Sequence, residues 1–280
     1  MEKHINTLVR AALEEDVGSG DLTAALIPEN ARANALLISR EDAVLCGKPW
    51  FDATFAAVDG SLDIRWFVEE GAKLKAEQPI CEITGNARSI LTAERTAINL
   101  LQTLSGTATI TQRYVEQLQG LHTRLLDTRK TIPGMRLAQK YAAKTGGAVN
   151  HRVGLYDGVL IKENHIRAAG SIAAAVEKAR LTTPAGVLLE VEVENQEEMQ
   201  QAVEAGAKRI LLDNFSLAQL RVAVSQRPGD VELEASGNVT LETLREIAQT
   251  GVDYISVGAL TKHLRAVDFS LQFILTLKEH

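Results

Sequence analysis

Between Leu126 and Val153 the chain reads LDTRKTIPGMRLAQKYAAKTGGAVNHRV. After Asp127 this stretch has no acidic residue, while it carries Arg129, Lys130, Arg136, Lys140, Lys144, His151 and Arg152. The chain as a whole is acidic, with 36 Asp and Glu against 30 Lys and Arg and a formal charge of -6. A long uncompensated cationic run in such a protein points to a local anion site. A general affinity for nucleic acid or anionic membrane would show in the net charge, so neither partner is expected. Arginine forks grip carboxylates and phosphates through paired N–H groups, and lysine acts as a point charge. Arg136, Lys140 and Lys144 stand at helical spacing and are expected on a solvated helix face, where they add only positive potential.

Further along, short apolar runs end one after another in polar or glycine residues: Lys162 to Asn164, Glu190 and Glu192, Asp213 and Asn214, Glu234 to Gly237, then Val257 and Gly258. Glu190 and Glu192 alternate with apolar neighbours, so both face one side of their strand, which in a parallel barrel is the interior. Carboxylates there, Glu192 and Asp213 among them, cost several kcal/mol unless cations lie near, and Lys130 and Lys162 are the candidates. Such carboxylates can grip ribose hydroxyls, a magnesium ion or a developing positive charge. EASGNV and SVGAL place small residues at strand ends, where backbone N–H groups cradle phosphate. The residues alone thus describe an enzyme that acts on a phosphorylated, polyanionic pair of substrates.

These groups need a scaffold. Residues 1 to about 20 carry Ile5, Leu8, Val9, Ala12 and Leu13 at helical spacing. Residues 34 to 84 are strand-rich, in short apolar runs punctuated by Gly, Pro and Asp. Their VEEGAKLKAEQPICEI is plain β-structure, since no lysine sits in a tight turn as a carrier domain would require. From Thr92 to about Leu118 runs a helical pattern with Ala97, Leu100, Leu101, Leu104 and Ala108 in one stripe, which Gly106 is expected to divide. Beyond it, strand then helix repeats about six times, the pattern of a parallel sheet with covering helices. GGAVNHRVGL is read as one more strand. No GxGxxG follows the first strand, so a closed or nearly closed α/β barrel is favoured over a doubly wound sheet, with its active site at the strand carboxyl ends. The expected domains are 1–110 and 111–267, with residues 268–280 packing back on the first.

Cys46 and Cys81 are the only cysteines, which suits a reducing cytoplasm, and both are read as buried small hydrophobes. No HExxH or CxxC suggests zinc. The amino terminus mixes charges through what would be the apolar core of a signal peptide, and no apolar run approaches the ~20 residues of a membrane span, so a cytoplasmic location is expected.

LLDTRKTIPGMR, GGAVNHRVGLYDGVLIKENHI, LEVEVEN, ILLDNF, EASGNV and ISVGALT, with EDVGSGDLT and LTAERTAINLLQTLSG before them, resemble the signature segments of the quinolinate phosphoribosyltransferase family over nearly the whole chain. The resemblance implies an α/β fold: a small amino-terminal α/β sandwich domain followed by an incomplete, open α/β barrel, assembled as a homodimer or higher oligomer. It implies a pentosyltransferase of NAD biosynthesis. The substrates are quinolinate and phosphoribosyl pyrophosphate, the products nicotinate mononucleotide, carbon dioxide and pyrophosphate, and Mg2+ is the cofactor. By the same resemblance, Arg129, His151, Arg152 and Lys162 line the quinolinate pocket, joined by Arg95 from the neighbouring subunit. Lys130, Glu192 and Asp213 face phosphoribosyl pyrophosphate, and Ser236, Gly237, Gly258 and Ala259 cradle its phosphates. Lys130, Lys162, Glu192 and Asp213 form the catalytic set, and Glu192 and Asp213 hold the metal directly or through water. The family has glycine where this chain has Ala148, so the loop before His151 is expected to suffer if that position needs a positive φ.

Two other readings compete. A related phosphoribosyltransferase would act on nicotinate or another anionic acceptor, although the number of cations favours a dicarboxylate. A non-catalytic anion- or nucleic-acid-binding relative is disfavoured by the small aromatic content of four Tyr, six Phe and two Trp, too few for a stacking platform. Glu192 and Asp213 also oppose it, because carboxylates repel phosphate unless chemistry or a metal requires them.

Overall fold

The structure, a computed structural model, describes residues 1–276. Along the chain come α1 (Glu2–Val17), β1 (Arg32–Ser39), β2 (Ala43–Val44), α2 (Lys48–Val58), β3 (Asp63–Trp66), β4 (Lys73–Leu74), β5 (Pro79–Asn86), α3 (Ala87–Gln117), β6 (Arg124–Leu126) and α4 (Arg136–Thr145). There follow β7 (Gly158–Ile161), α5 (Glu163–Ala169), α6 (Ile172–Thr182), β8 (Leu188–Val193), α7 (Gln196–Glu204), β9 (Arg209–Asp213), α8 (Leu217–Gln226), β10 (Glu232–Ser236), α9 (Leu244–Ala248), β11 (Tyr254–Ser256), α10 (Ala259–Lys262) and β12 (Phe269–Thr276). They group into two compact units: Met1–Ile110 with Ile132–Gly146 and the residues from His263, and Thr111–Thr131 with Gly147–Lys262. Among the described residues no helix is long and apolar enough to cross a membrane.

The first unit is built on an antiparallel sheet of order β12-β1-β5-β3 with a small β2-β4 ribbon beside it. β12 pairs along the whole of β1, from Ser39 opposite Phe269 to Arg32 opposite Thr276; residues 277–280 of the segment expected to return here lie outside the described residues. Two features differ from the sequence expectation. The strand-rich region contains α2, whose Trp50, Phe51, Thr54 and Phe55 are buried. Those aromatic residues favour strands locally, but Glu70 accepts the backbone N–H groups of Gly47 and Lys48 at 2.8 and 3.2 Å and satisfies the start of a helix. The second is that α3 continues unbroken through Gly106. A Cβ at Gly106 would lie 2.2 Å from the carbonyl oxygen of Arg265, so this glycine serves the close passage of another backbone.

Residues 132–146, assigned to 111–267 by the sequence expectation, group with the first unit. The cause is the small face of α4: Ala138 and Ala142 share a core with Ile5, Val9, Trp50, Leu100, Leu104 and Ala108. Tyr141 meets Trp50 edge-on at 5.2 Å. The cations of this helix therefore do not form one solvated face, because Lys140 is buried, Arg136 half-buried and only Lys144 exposed.

The second unit is a parallel six-stranded sheet of order β6-β11-β10-β9-β8-β7. Its outer strands β6 and β7 are not paired with each other, so the barrel is open. Ser171, Asn195 and Ser216 begin α6, α7 and α8, each accepting a backbone N–H of the first helical turn. GGAVNHRVGL does not form the extra strand. It touches the sheet at one bridge, Val149 to Leu126 of β6, and then runs irregularly to β7. Ala148 is buried, and Gly147 beside it carries the positive φ of 99°. The alanine is therefore accommodated without strain.

Candidate active site

A cavity of about 230 Å³ opens at the carboxyl ends of the barrel strands. It brings together Arg129, Lys130, His151, Arg152, Lys162, Glu192 and Ser236 from the candidate set, with Thr128, Leu160, Leu211, Glu234 and Ser256 completing the wall. The strand period explains this: Glu190 and Glu192 on β8, and Arg209, Leu211 and Asp213 on β9, are alternate residues and share a face.

Three cations dominate one side. Lys162 follows β7 directly and caps α5, its backbone N–H donating to His165 Nδ1 at 3.0 Å; its ammonium donates to Glu192 Oε2. Arg152 donates from one guanidinium nitrogen to the carbonyl of Gly158 at 3.0 Å. Burial first, and the like charge of Arg129 second, push its pKa below the ordinary arginine value. A cation so disfavoured gains from an arriving anion.

At the base of the cavity lies a network whose Arg209 and Tyr254 the sequence expectation did not name. Glu190 and Glu234 are fully buried. His151 Nε2 lies 2.9 Å from Glu190 Oε2 and 3.5 Å from Glu234 Oε2. The Arg209 guanidinium reaches Glu190 at 3.5 Å and Glu234 at 3.7 Å and stacks on the Tyr254 ring, 3.7 Å from its centroid. Burial, and then the charge of Glu190, push the Glu234 carboxyl up to about 8, so it is protonated at neutral pH. Burial also raises Glu190, against the pull of Arg209. Among the described residues, His151, Glu190 and Glu234 form the one group of three spaced to hold a metal ion, but Arg209 already supplies the positive charge there. The signal in the sequence was the alternation that places Arg209 on the same face as Leu211 and Asp213.

Asp213, Gly237, Gly258 and Ala259 do not line the cavity wall but stand at the same strand ends. Asp213 closes β9 opposite Ser236 of β10 and accepts from Asn214 Nδ2 at 2.9 Å. Asn214, Gly237 and Asn238 all take positive φ, and a Cβ at Gly237 would lie 2.1 Å from Asn214 Oδ1. Gly258 packs against Lys130, whose Cδ would be 2.8 Å from an added Cβ, and Ala259 opens α10. Arg95 lies on α3 in the first unit and is exposed.

Residues 21–105 match the family model of the quinolinate phosphoribosyl transferase amino-terminal domain, and residues 107–272 that of its carboxyl-terminal domain. The chain belongs to this family. It is 41% identical over 265 residues to a probable nicotinate-nucleotide pyrophosphorylase (carboxylating) of Synechocystis, spanning 94% of this chain and 90% of the relative. Against the nicotinate-nucleotide pyrophosphorylase (carboxylating) of Mycobacterium leprae the identity is 41% over 272 residues, 94% and 95% of the two chains. The solved nicotinate-nucleotide pyrophosphorylase of Francisella tularensis superposes with a TM-score of 0.95 at 48% identity, covering 98% of this chain and 97% of that one. The family assignment fits a barrel cavity that concentrates cations beside Glu192 and Glu234.

Proposed function

We propose that the protein transfers the phosphoribosyl group of phosphoribosyl pyrophosphate to the ring nitrogen of quinolinate, releasing pyrophosphate, and that the product loses carbon dioxide to give nicotinate mononucleotide. The convergence of Arg129, Arg152 and Lys162 on one cavity carries this reading, because a dianionic acceptor needs that many cations and a monocarboxylate does not. The nucleophile is the pyridine lone pair, so no general base is required. As the bond from ribose C1 to pyrophosphate stretches, positive charge develops at C1. Glu192 and Asp213 share the face that meets it and stabilise the transition state more than the ground state. Decarboxylation follows because the positive ring nitrogen stabilises, as an ylide, the electron pair that departing carbon dioxide leaves on the adjacent carbon, and that pair then takes a proton from water.

Lys130 and Ser236, with the backbone at Gly237, Gly258 and Ala259, support the reading that the phosphates lie at the ends of β10 and β11. His151 lines the quinolinate side, although both its ring nitrogens face groups of the protein. Glu192 and Asp213 fit Mg2+, a hard cation that takes one or two carboxylates and completes its shell with water and substrate phosphates. When bound, it offsets the charge of the departing pyrophosphate. Arg95, exposed on α3, supports an oligomer of at least two subunits in which it enters the neighbour's pocket. Two free, buried cysteines suit a reducing cytoplasm.

The test supplies quinolinate labelled at its 2-carboxylate, with phosphoribosyl pyrophosphate and Mg2+, and follows labelled carbon dioxide and nicotinate mononucleotide. Product from nicotinate, with no release of carbon dioxide from quinolinate, would move the assignment to the alternative acceptor.

A further inference from the structure

The residue that presents Arg152 stands on a segment with no strand ladder. Between Val149, which makes a single bridge to Leu126, and Gly158, which opens β7, the chain is irregular. Its placement therefore depends on side-chain anchors. Asp127, fully buried at the end of β6, accepts Asn150 Nδ2 at 2.6 Å and the His151 backbone N–H at 2.8 Å. The His151 ring then spans downward and upward at once. Its Nδ1 accepts the backbone N–H of Arg152 at 2.7 Å, and its Nε2 lies 2.9 Å from the buried Glu190 Oε2. A nitrogen that accepts an N–H carries no proton of its own, so the ring proton belongs to Nε2 and is donated to Glu190. Glu190 is itself held by Arg209, whose guanidinium is fixed against the Tyr254 ring.

We infer that Glu190 is a positioning residue for the acceptor end of the pocket: through the His151 ring it sets the backbone of Arg152, and so the placement of the guanidinium that meets the acceptor's carboxylate. This rests on the quinolinate reading of the same cavity. It gives His151 the part of a strut, with both nitrogens used by the protein, in place of a direct ligand to the substrate. Glu190 touches neither substrate nor reacting atoms, so its removal acts on acceptor binding and leaves phosphoribosyl pyrophosphate and the chemical step alone.

The experiment pairs kinetics with a readout independent of turnover. In the full chain labelled with ¹⁵N-histidine, the His151 resonances, assigned by their loss in His151→Phe, are expected to show the Nε2–H tautomer near neutral pH. The Nδ1–H tautomer in the wild-type protein would overturn the inference without any variant at Glu190. Glu190→Leu is expected to mix the tautomers, to speed amide exchange at Arg152, and to raise the KM for quinolinate about tenfold, the scale of one charge-assisted hydrogen bond. The KM for phosphoribosyl pyrophosphate and kcat should hold within about twofold. Glu190→Gln, whose amide oxygen still accepts from Nε2, is expected to restore the quinolinate KM. Unchanged quinolinate KM in the leucine variant, an equal fall in every parameter, or failure of glutamine to rescue would sink the strut. A wild-type protein inert toward quinolinate would instead overturn the functional reading alone, with the tautomer and the Arg152 amide still deciding this one.

Discussion

Lys162, just after β7, and Glu192, on the neighbouring strand β8, pair across the mouth of the barrel, ammonium to carboxylate. A cation and a carboxylate of the cavity wall are thus held against each other. On the proposed reading, a dianionic acceptor competes with Glu192 for Lys162, and the predictions below test both residues.

Lys162→Ala and Arg152→Ala are expected to weaken quinolinate binding by ~1.5–3 kcal/mol each while the fold persists, the usual scale of a contact to a charged group. Calorimetric titration with quinolinate checks this, with circular dichroism as the control for folding. Unaltered affinity in both variants would remove them from the acceptor pocket.

Glu192→Gln and Asp213→Asn keep size and lose charge. Turnover should fall well beyond any change in substrate affinity, because the interaction strengthens only as the ribose becomes cationic. Glu192→Gln also frees Lys162, so quinolinate affinity should hold or improve. Steady-state kinetics that keep kcat within a few-fold would show the electrostatic role to be wrong.

Arg95→Ala and Lys162→Ala are each expected to be nearly inactive, and their mixture to recover. In a two-fold assembly with shared pockets, random exchange makes half the dimers mixed, so about one quarter of all sites regain both residues. Lack of recovery after verified subunit exchange would assign Arg95 to its own subunit's site.

Glu234 makes stability depend on pH in a predictable direction. Folded, it keeps its proton up to about 8, whereas its ordinary value is 4.5. Between those values the unfolded chain has released a proton that the native protein retains. The contribution is therefore full below about 4.5 and is lost as pH rises to about 8, at up to about 1.4 kcal/mol per pH unit. Denaturant unfolding across this window should show a steeper decline for the wild type than for Glu234→Gln, which cannot titrate. Parallel curves would mean that Glu234 is ionised in the fold.

Gly106→Ala separates close approach from helix propensity. Alanine favours a helix by about 1 kcal/mol over glycine. The added Cβ would meet the Arg265 carbonyl at 2.2 Å, and Val267 N–H, donating to Gln102 carbonyl at 3.1 Å, holds that passing segment against α3. Overpacking of ~1–3 kcal/mol or more should win, lowering the melting temperature. A more stable variant would show that the segment from Arg265 moves aside.

Sequence by itself determined what depends on period and composition. The strand–helix repeat implied a parallel sheet, and the alternation of Glu190 with Glu192 implied two inward carboxylates, because a strand's side chains change face at every residue. Of the cationic run, Arg129, Lys130, His151 and Arg152 line the cavity, while Arg136, Lys140 and Lys144 do not. Tertiary structure decided which inward groups meet. Glu190 finds His151 and Arg209, and Glu234 keeps its proton, only because distant segments converge under the cavity. Periodicity specifies a face and never the neighbour across it. For the same reason Lys140, cationic at helical spacing, is buried once Ala138 and Ala142 draw α4 into the first unit's core. Gly106, a helix breaker by propensity, lies inside a continuous α3 because the space it leaves is filled by the backbone of Arg265.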